Sequence, residues 1–573
     1  MSSLGHQIAT SVLVVGTGGS GLRAAIEVAE AGIAVMAVGK RTAGDTHSVM
    51  ASEGHNLIPT AADRWEQHAA DTLRASCLLA DPRTALVVAR SAARAIHDLE
   101  RYGLRFDGSG DRGIGQRDLG TRTNPRAAFP VDHTGPEVQE ALRERAERLA
   151  VPVLPNVYVT RLLVDDGTVF GAYGFDLVNG SRYLVHADSV ILATGGHTRI
   201  WRRASSGRDE NTGDSLRLAA EAGARLRDPE LVQFHPSGLI KPDIAAGTLV
   251  SERARGEGGT LLNNLGERFM TRYDPGRMEL SSRHKVALAA YTEIKEGRGS
   301  QAGGVWLDLS HLPRDTVLMR LPQVHQTLLD LQMLDVTSDP IEVAPTAQYS
   351  MGGVWVRPQD SSTDVNGLYA IGEAASGLHG ADRLQGNSLI ELIVYGRIAG
   401  RAAAEYSAKL TGQRRSPGAI RDAEGDVNRL LAADGDQNIR AMQRSVRDLM
   451  TRHAGIARDE AGLTAGLAQL EEVETRMVDG GVHVDIGGFQ DLAHAFDLRS
   501  TVLAARATLE CALERRETRG WHIRSDYPDP SPELQVNLVW TPETGVRREP
   551  VPPVPTDIAE LMRDIPADGK PRP

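Results

Sequence analysis

The chain has 573 residues, enough for several domains and a sizeable hydrophobic core. A net charge of −11 gives no reason to expect nucleic acid, and 41% hydrophobic with 24% charged residues is the composition of a soluble globular protein. The two cysteines, Cys77 and Cys511, form no CxxC pair, so they hold no iron–sulfur cluster and build no disulfide framework; no metal site and a reducing compartment are expected.

In chain order, the N-terminal MSSLGHQIATS lacks the basic and apolar regions of a secretory signal, and no run of about 18 apolar residues occurs anywhere after it, so no membrane span is expected. The segment Ser11–Gly21, SVLVVGTGGSG, is the one around which the chain is organised. A short apolar run, Val12–Val15, meets Gly16, Gly18 and Gly21, after which Leu22, Ala25, Ile26 and Ala29 recur at helical spacing. Strand, tight glycine turn and helix in this order predict a dinucleotide-binding unit. The glycines make the turn, admit a pyrophosphate to the backbone and let helix and strand pack closely, while the helix N-terminus offers free N–H groups to phosphate. The second strand is placed at Ala34–Val38. Gly39, Lys40 and Arg41 stand where an acid would hold a ribose, which argues against ordinary NAD binding and leaves FAD or an atypical site.

Arg41–Asn56 reads as a polar loop with His47, Trp65–Leu79 and Asp81–Tyr102 as helices, and Gly103–Thr134 as a long Gly-, Arg- and Asp-rich loop. Pro136–Ala150 is an amphipathic helix with a solvated face, and Val151–Ala187 alternates as strands with turns at Asp165–Gly167 and Asn179–Gly180. Two further strand–glycine endings, Asp188–Gly196 and Gly367–Gly372, suggest one nucleotide domain interrupted by an insertion. Ile420–Thr518 has a mainly helical pattern without heptads, and the proline-rich Asp526–Pro573 is expected to run extended over the surface with a loose end. The expected fold is therefore α/β: a Rossmann-like FAD-binding domain (1–238 and 353–414) interrupted by a smaller capping domain (239–352), followed by a helical domain (415–525) and a tail (526–573).

Several stretches share one pattern: TGGHTRIW, NTGDS, QFHPSG, LVSERARGEGG, NNLGERFM, PTAQYSMGG, GLYAIGE, HGADRLQGNSL and RGWHIRSDYP. Together, in collinear order from about Val12 to Pro528, they resemble the flavoprotein subunit of succinate dehydrogenase and fumarate reductase, in a wider group that includes L-aspartate oxidase. The resemblance implies FAD, interconversion of succinate and fumarate, and electron transfer to an iron–sulfur subunit. It also implies membrane anchor subunits, with this chain peripheral on the cytoplasmic face of the cell membrane. A fumarate reductase, or a soluble enzyme for another dicarboxylate such as L-aspartate, is the alternative; a flavin-binding subunit that has lost catalysis is a further rival.

Residue by residue, the resemblance implies FAD contacts at Gly16, Gly18, Gly19, Gly21, Lys40, Ser48, Gly54, Thr194, Gly195, Asp214, Glu373, Arg383, Ser388 and Leu389, and a covalent bond from His47 to the flavin 8α position. A loop histidine taken alone is most often only solvated. A small dianion needs two carboxylate clamps, for which a bidentate arginine is the natural residue. By resemblance His235 and Ser251 hold one carboxylate and Arg383 the other, Glu252 belongs to a proton path, and Arg283 carries the proton at the substrate carbon. Physics alone would not select Arg283, because a guanidinium is a poor base. The chain departs from the family pattern at His284, usually Asp, and at Gln348, usually a histidine beside the substrate. His379 matches a family histidine near the flavin, and a purely structural histidine reads equally well there.

Overall fold

The computed structural model describes residues 5–41, 46, 48, 55–56, 64–106, 127–128, 134–207, 209–484 and 488–563. The apolar run of the first strand, His6–Val15, is central: Val12, Leu13 and Val14 are fully buried. It pairs in parallel with Val35–Val38 on one side and with Arg182–Leu192 on the other, in register Val12↔Val35 and Val12↔Ser189. Leu368–Ala370 joins Arg182–Leu192 in parallel, Leu368↔Val190. Three strands separated by up to several hundred residues thus end on the same edge of one sheet. Their glycine ends, Gly16, Gly195 and Gly372, all have positive φ, the left-handed conformation that costs glycine nothing. The antiparallel strands Val157–Asp165 and Thr168–Asp176 extend the sheet beyond Arg182–Leu192, and Val153–Leu154 pairs in parallel with Val35–Val38 at the opposite edge, making seven strands among the described residues.

Helix Gly19–Glu30 packs its buried Leu22, Ala25 and Ile26 into the same core as helix Asn387–Lys409, whose Ile390, Ile393 and Val394 are also buried. The chain leaves this unit along Val232–Leu239 and returns along Ile341–Ser350, which pair antiparallel and extend into a four-stranded sheet with Thr260–Leu262 and Val305–Asp308. The excursion has its own core around Leu261, Phe269, Val286, Leu307 and Val343. The architecture is a Rossmann-like α/β domain interrupted by a smaller domain and followed by helices, including Ile439–His453, Glu460–Met477 and Gln490–Glu514.

The expectation for the tail is corrected. Val536–Thr541 and Gly545–Pro550 form a hairpin, and Val536–Thr541 pairs with Leu226–Arg227. Its prolines stand where no ladder donor is lost, in the turn at Pro542 and at the end of the second strand at Pro550, with others outside the hairpin. Leu538, Val539 and Trp540 bury their side chains, which offsets the cost of ordering the segment. Thr556–Arg563 is a helix whose buried Ile558 shares a core with Ala69 and Leu73 of Trp65–Ala75. The long polar loops at 41–56 and 103–134 lie largely outside the described residues; they meet through a short pairing, His55↔Ala128.

Candidate active site

A cavity of about 340 Å³ opens at the glycine edge of the sheet. Of the residues singled out in the sequence, Gly16, Gly18, Lys40, Ser48, Thr194, Gly195, Asp214, Ser251, Gln348, Glu373, Arg383, Ser388 and Leu389 line it. Its floor requires glycine. A Cβ on Gly16 would lie 2.2 Å from the Ala193 carbonyl oxygen, and one on Gly21 would lie 2.0 Å from that of Gly16. Gly19 N–H donates to Ser48 Oγ at 3.1 Å. The N-terminus of helix Gly19–Glu30 carries no acid in its first turn, so its dipole is left to an anion. Thr194 Oγ1 and Gln348 Oε1 are buried with no hydrogen-bond partner among the described residues, as polar groups awaiting a ligand are. A glycine floor, a phosphate-ready helix end and orphaned polar atoms fit a flavin dinucleotide. His47 and Gly54 lie outside the described residues.

Lys40 sits differently from a simple ribose contact. Its Nζ is 2.7 Å from Asp214 Oδ2 and 3.0 Å from Asp497 Oδ1, and lies 4.4 Å from the centre of the Tyr158 ring. Burial works against the ammonium, but the two carboxylates outweigh it and raise its proton affinity. Tyr158 OH has one proton to share between Asp497 Oδ1, at 2.8 Å, and Asp214 Oδ1, at 3.2 Å. Two of the expected cofactor residues thus pair with each other and clasp the C-terminal helix Gln490–Glu514. Glu373 Oε1 accepts from Asn211 Nδ2 and from the Ser350 backbone, each at 2.9 Å.

On the cap side, Arg283 begins helix Arg283–Lys295, where the positive end of the dipole opposes its charge. Glu252 compensates: Arg283 Nε donates to its Oε2 at 2.7 Å, while Arg255 Nη2 reaches Oε1 at 2.8 Å and Gln385 Nε2 reaches Oε2 at 2.8 Å. Burial would raise the Glu252 carboxyl, but Arg283, Arg255 and His235 win and hold it at about 2. Glu252 is ionised at any physiological pH. His235 is buried and accepts from Ser237 N–H at Nδ1, which assigns its ring proton to Nε2. Arg383 is buried, with its guanidinium 5.0 Å from the Tyr349 ring centre and Nη1 donating to Ser388 Oγ at 2.9 Å.

Gln348 is placed by a β-bulge. The register runs Gln233↔Tyr349 and then Phe234↔Ala347, so Gln348 is the extra residue. Bulges beside sites re-aim side chains, and this one aims Gln348 at the cavity. His379 does not line the cavity; its Nε2 lies 2.9 Å from Glu391 Oε2, which also accepts from Tyr349 OH, consistent with a structural histidine. His284 Nδ1 is 3.9 Å from Asp382 Oδ2. Sequence reading missed Arg255, Gln233, Asp382 and Asp497. Arg255 was legible: it stands three residues after Glu252, and such pairs meet on a helical turn. The others are brought in by strand pairing or helix docking and carry no local signal.

The fold and the cavity define a flavin-type dinucleotide-binding protein. Comparison with known proteins narrows this. Residues 11–389 match the FAD binding domain family and residues 443–552 match the fumarate reductase flavoprotein C-terminal family. The chain is 37% identical to a fumarate reductase (CoM/CoB) subunit of Methanothermobacter marburgensis, over 92% of this chain and 96% of that protein. It is 34% identical to the succinate dehydrogenase flavoprotein subunit of Rickettsia bellii, over 97% of each. Mycobacterium smegmatis Sdh1, solved in complex with UQ1, superposes with a TM-score of 0.89 at 34% identity, over 96% of both chains. The chain belongs to the succinate dehydrogenase and fumarate reductase flavoprotein family. It is an FAD-dependent oxidoreductase, and among its described residues no helix is long and apolar enough to cross a membrane.

Proposed function

We propose that the chain is the flavoprotein subunit of a succinate dehydrogenase, oxidising succinate to fumarate and passing electrons to an iron–sulfur subunit joined to a membrane anchor. Fumarate reduction on the same residues is the nearest competing reading. The observation that carries the proposal is the Arg283–Glu252–Arg255 chain, whose Glu252 directly follows Ser251, a lining residue of the cavity. In this reading residues 239–352 form the cap over the substrate. Arg383 grips one substrate carboxylate with help from Gln348, and His235 and Ser251 hold the other. FAD supplies the two-electron exchange at the substrate carbon, held by Gly16, Gly18, Gly19, Gly21, Lys40, Ser48, Gly54, Thr194, Gly195, Asp214, Glu373, Arg383, Ser388 and Leu389. Arg283 delivers a proton to the adjacent carbon in the reductive direction and the chain runs backwards in the oxidative one. Glu252, 36% exposed at its side chain, connects Arg283 towards solvent. Succinate with an artificial electron acceptor, and fumarate with a reduced dye, test the proposal directly. Turnover of L-aspartate alone would sink it.

The same reading joins FAD covalently to His47. After acid denaturation, flavin fluorescence should migrate with the wild-type polypeptide and be lost in His47→Ser. Release of all flavin from the wild type would refute the link.

Gln348 gives a further expectation. A neutral amide contributes a hydrogen bond of roughly 0.5–1.5 kcal/mol, so Gln348→Ala should weaken malonate binding by about tenfold or less. Gln348→His should bind malonate more tightly at about pH 6 than at about pH 8, because the imidazole is charged only at the lower pH; the wild type should show less of this trend. Titrating malonate against the flavin spectrum reads both. If the alanine variant matches wild type and the histidine variant shows no added trend, Gln348 does not face the substrate.

A further inference from the structure

A carboxylate clamp built on Arg383 needs its guanidinium held in one orientation, and the structure shows what holds it. Its Nε and Nη2 both donate to one atom, Gln233 Oε1, at 3.1 and 2.8 Å. Gln233 is almost fully buried, in the strand that also carries His235. Its amide could be built either way round, but its neighbours decide. A guanidinium only donates, so it demands the oxygen. The nitrogen then donates to Asp382 Oδ1 at 3.3 Å. That oxygen is an acceptor, because Trp521 Nε1, which can only donate, reaches it at 2.8 Å. Trp521 is itself pinned by its backbone N–H to the Ala381 carbonyl at 2.9 Å.

We propose that Gln233 is a positioning residue for substrate binding: it orients the Arg383 guanidinium, and Asp382, braced by Trp521, locks the sense of the Gln233 amide. The chain of contacts spans three regions of sequence, and its far end returns to the proton-transfer helix, where His284 follows Arg283 and faces Asp382 Oδ2. A bidentate contact to a carboxylate depends on the plane of the guanidinium as much as on its charge. Loss of Gln233 should therefore cost substrate affinity rather than the chemical step. This inference rests on the dicarboxylate reading of the site.

The test uses the FAD-loaded protein, with malonate binding read from the flavin spectrum and steady-state kinetics with succinate. Gln233→Met, of similar length but without hydrogen-bonding atoms, should raise the malonate Kd and the succinate KM by about tenfold while kcat stays within about threefold. Gln233→Glu keeps an acceptor towards Arg383 and should bind malonate more tightly than Gln233→Met. In an Arg383→Met background, Gln233→Met should add less than about twofold, because its effect passes through Arg383 and the two losses are not additive. FAD content and melting temperature accompany each variant; a purely structural role would lower these and would weaken the Arg383→Met protein further by the full factor. Equal weakening in both backgrounds, or a Gln233→Met protein that binds malonate within twofold of wild type, overturns the inference alone. A wild type that binds no dicarboxylate overturns the functional reading and this inference with it.

Discussion

Arg283→Gln should lower kcat at least a hundredfold while leaving FAD bound. The magnitude follows from the role: a positioned acid or base typically contributes roughly 10²–10⁴-fold. The selectivity follows from the geometry. Arg283 does not line the cavity that fits FAD; it contacts Glu252, and Glu252 contacts Arg255. Glutamine retains a hydrogen-bonding end but no proton that it can transfer. Since the lost interaction matters mainly in the transition state, kcat and kcat/KM should fall together, with malonate affinity little changed. Glu252, held ionised by Arg283, Arg255 and His235 against its burial, is a fixed counter-charge and introduces no ionisation of its own between pH 5 and 9. The experiment is steady-state kinetics beside a flavin-to-protein absorbance ratio. A variant that keeps more than about a tenth of wild-type kcat assigns the proton to another group.

The largest effect on stability is expected at Arg515. This side chain is wholly buried and its guanidinium satisfies three acids: Glu230 at 2.7 Å, Asp228 at 3.1 Å and Glu517 at 3.3 Å. It also donates to the carbonyls of Leu534 and Val536, where the chain enters the C-terminal hairpin. Asp228 in turn accepts from Asn537 Nδ2 and the Leu538 N–H, so one ionic knot ties helix Gln490–Glu514 to the hairpin. Removing one partner of such a group leaves uncompensated buried charge and costs about 3–5 kcal/mol. Arg515→Met should shift denaturant unfolding to a correspondingly lower midpoint and open the hairpin to protease. The penalty should also depend on pH. Burial and the nearby Glu230 already push the Asp228 carboxyl up, against Arg515; without the arginine it rises further. Between the ordinary carboxylate range and that raised value the native state then holds a proton the unfolded state lacks, so stability falls as pH rises. The variant should be nearer to wild type at pH 5 than at pH 8. A loss under about 1 kcal/mol, or one flat with pH, would mean that the acids are compensated by their other partners.

Local pattern was enough for the parts of this protein whose physics is local. The apolar run Val12–Val15, the glycines behind it and the helical spacing after them specify a strand, a turn and a helix with a phosphate-ready end, and the structure has them at His6–Val15 and Gly19–Glu30. The later strand–glycine endings were legible for the same reason, whereas His235, Ser251, Glu252, Arg283 and Arg383 were marked as a candidate set only by the resemblance of their motifs to a family. Composition misled at the C-terminus, because proline density reports lost donors but not which strand edge a segment meets; the hairpin pairs with Leu226–Arg227, some three hundred residues earlier.

Only the tertiary structure decided how the set is held. Gln348 reaches the cavity because a register shift makes it the bulged residue, and register belongs to two strands at once. Lys40 meets Asp497, Arg383 meets Gln233, and Asp382 meets Trp521, each across more than a hundred residues. The sequence by itself determined the local backbone geometry that carries the candidate groups, and it singled those groups out by resemblance to the family's motifs. Their orientation came from packing alone, since a guanidinium is aimed by whatever buried acceptor the fold sets beside it.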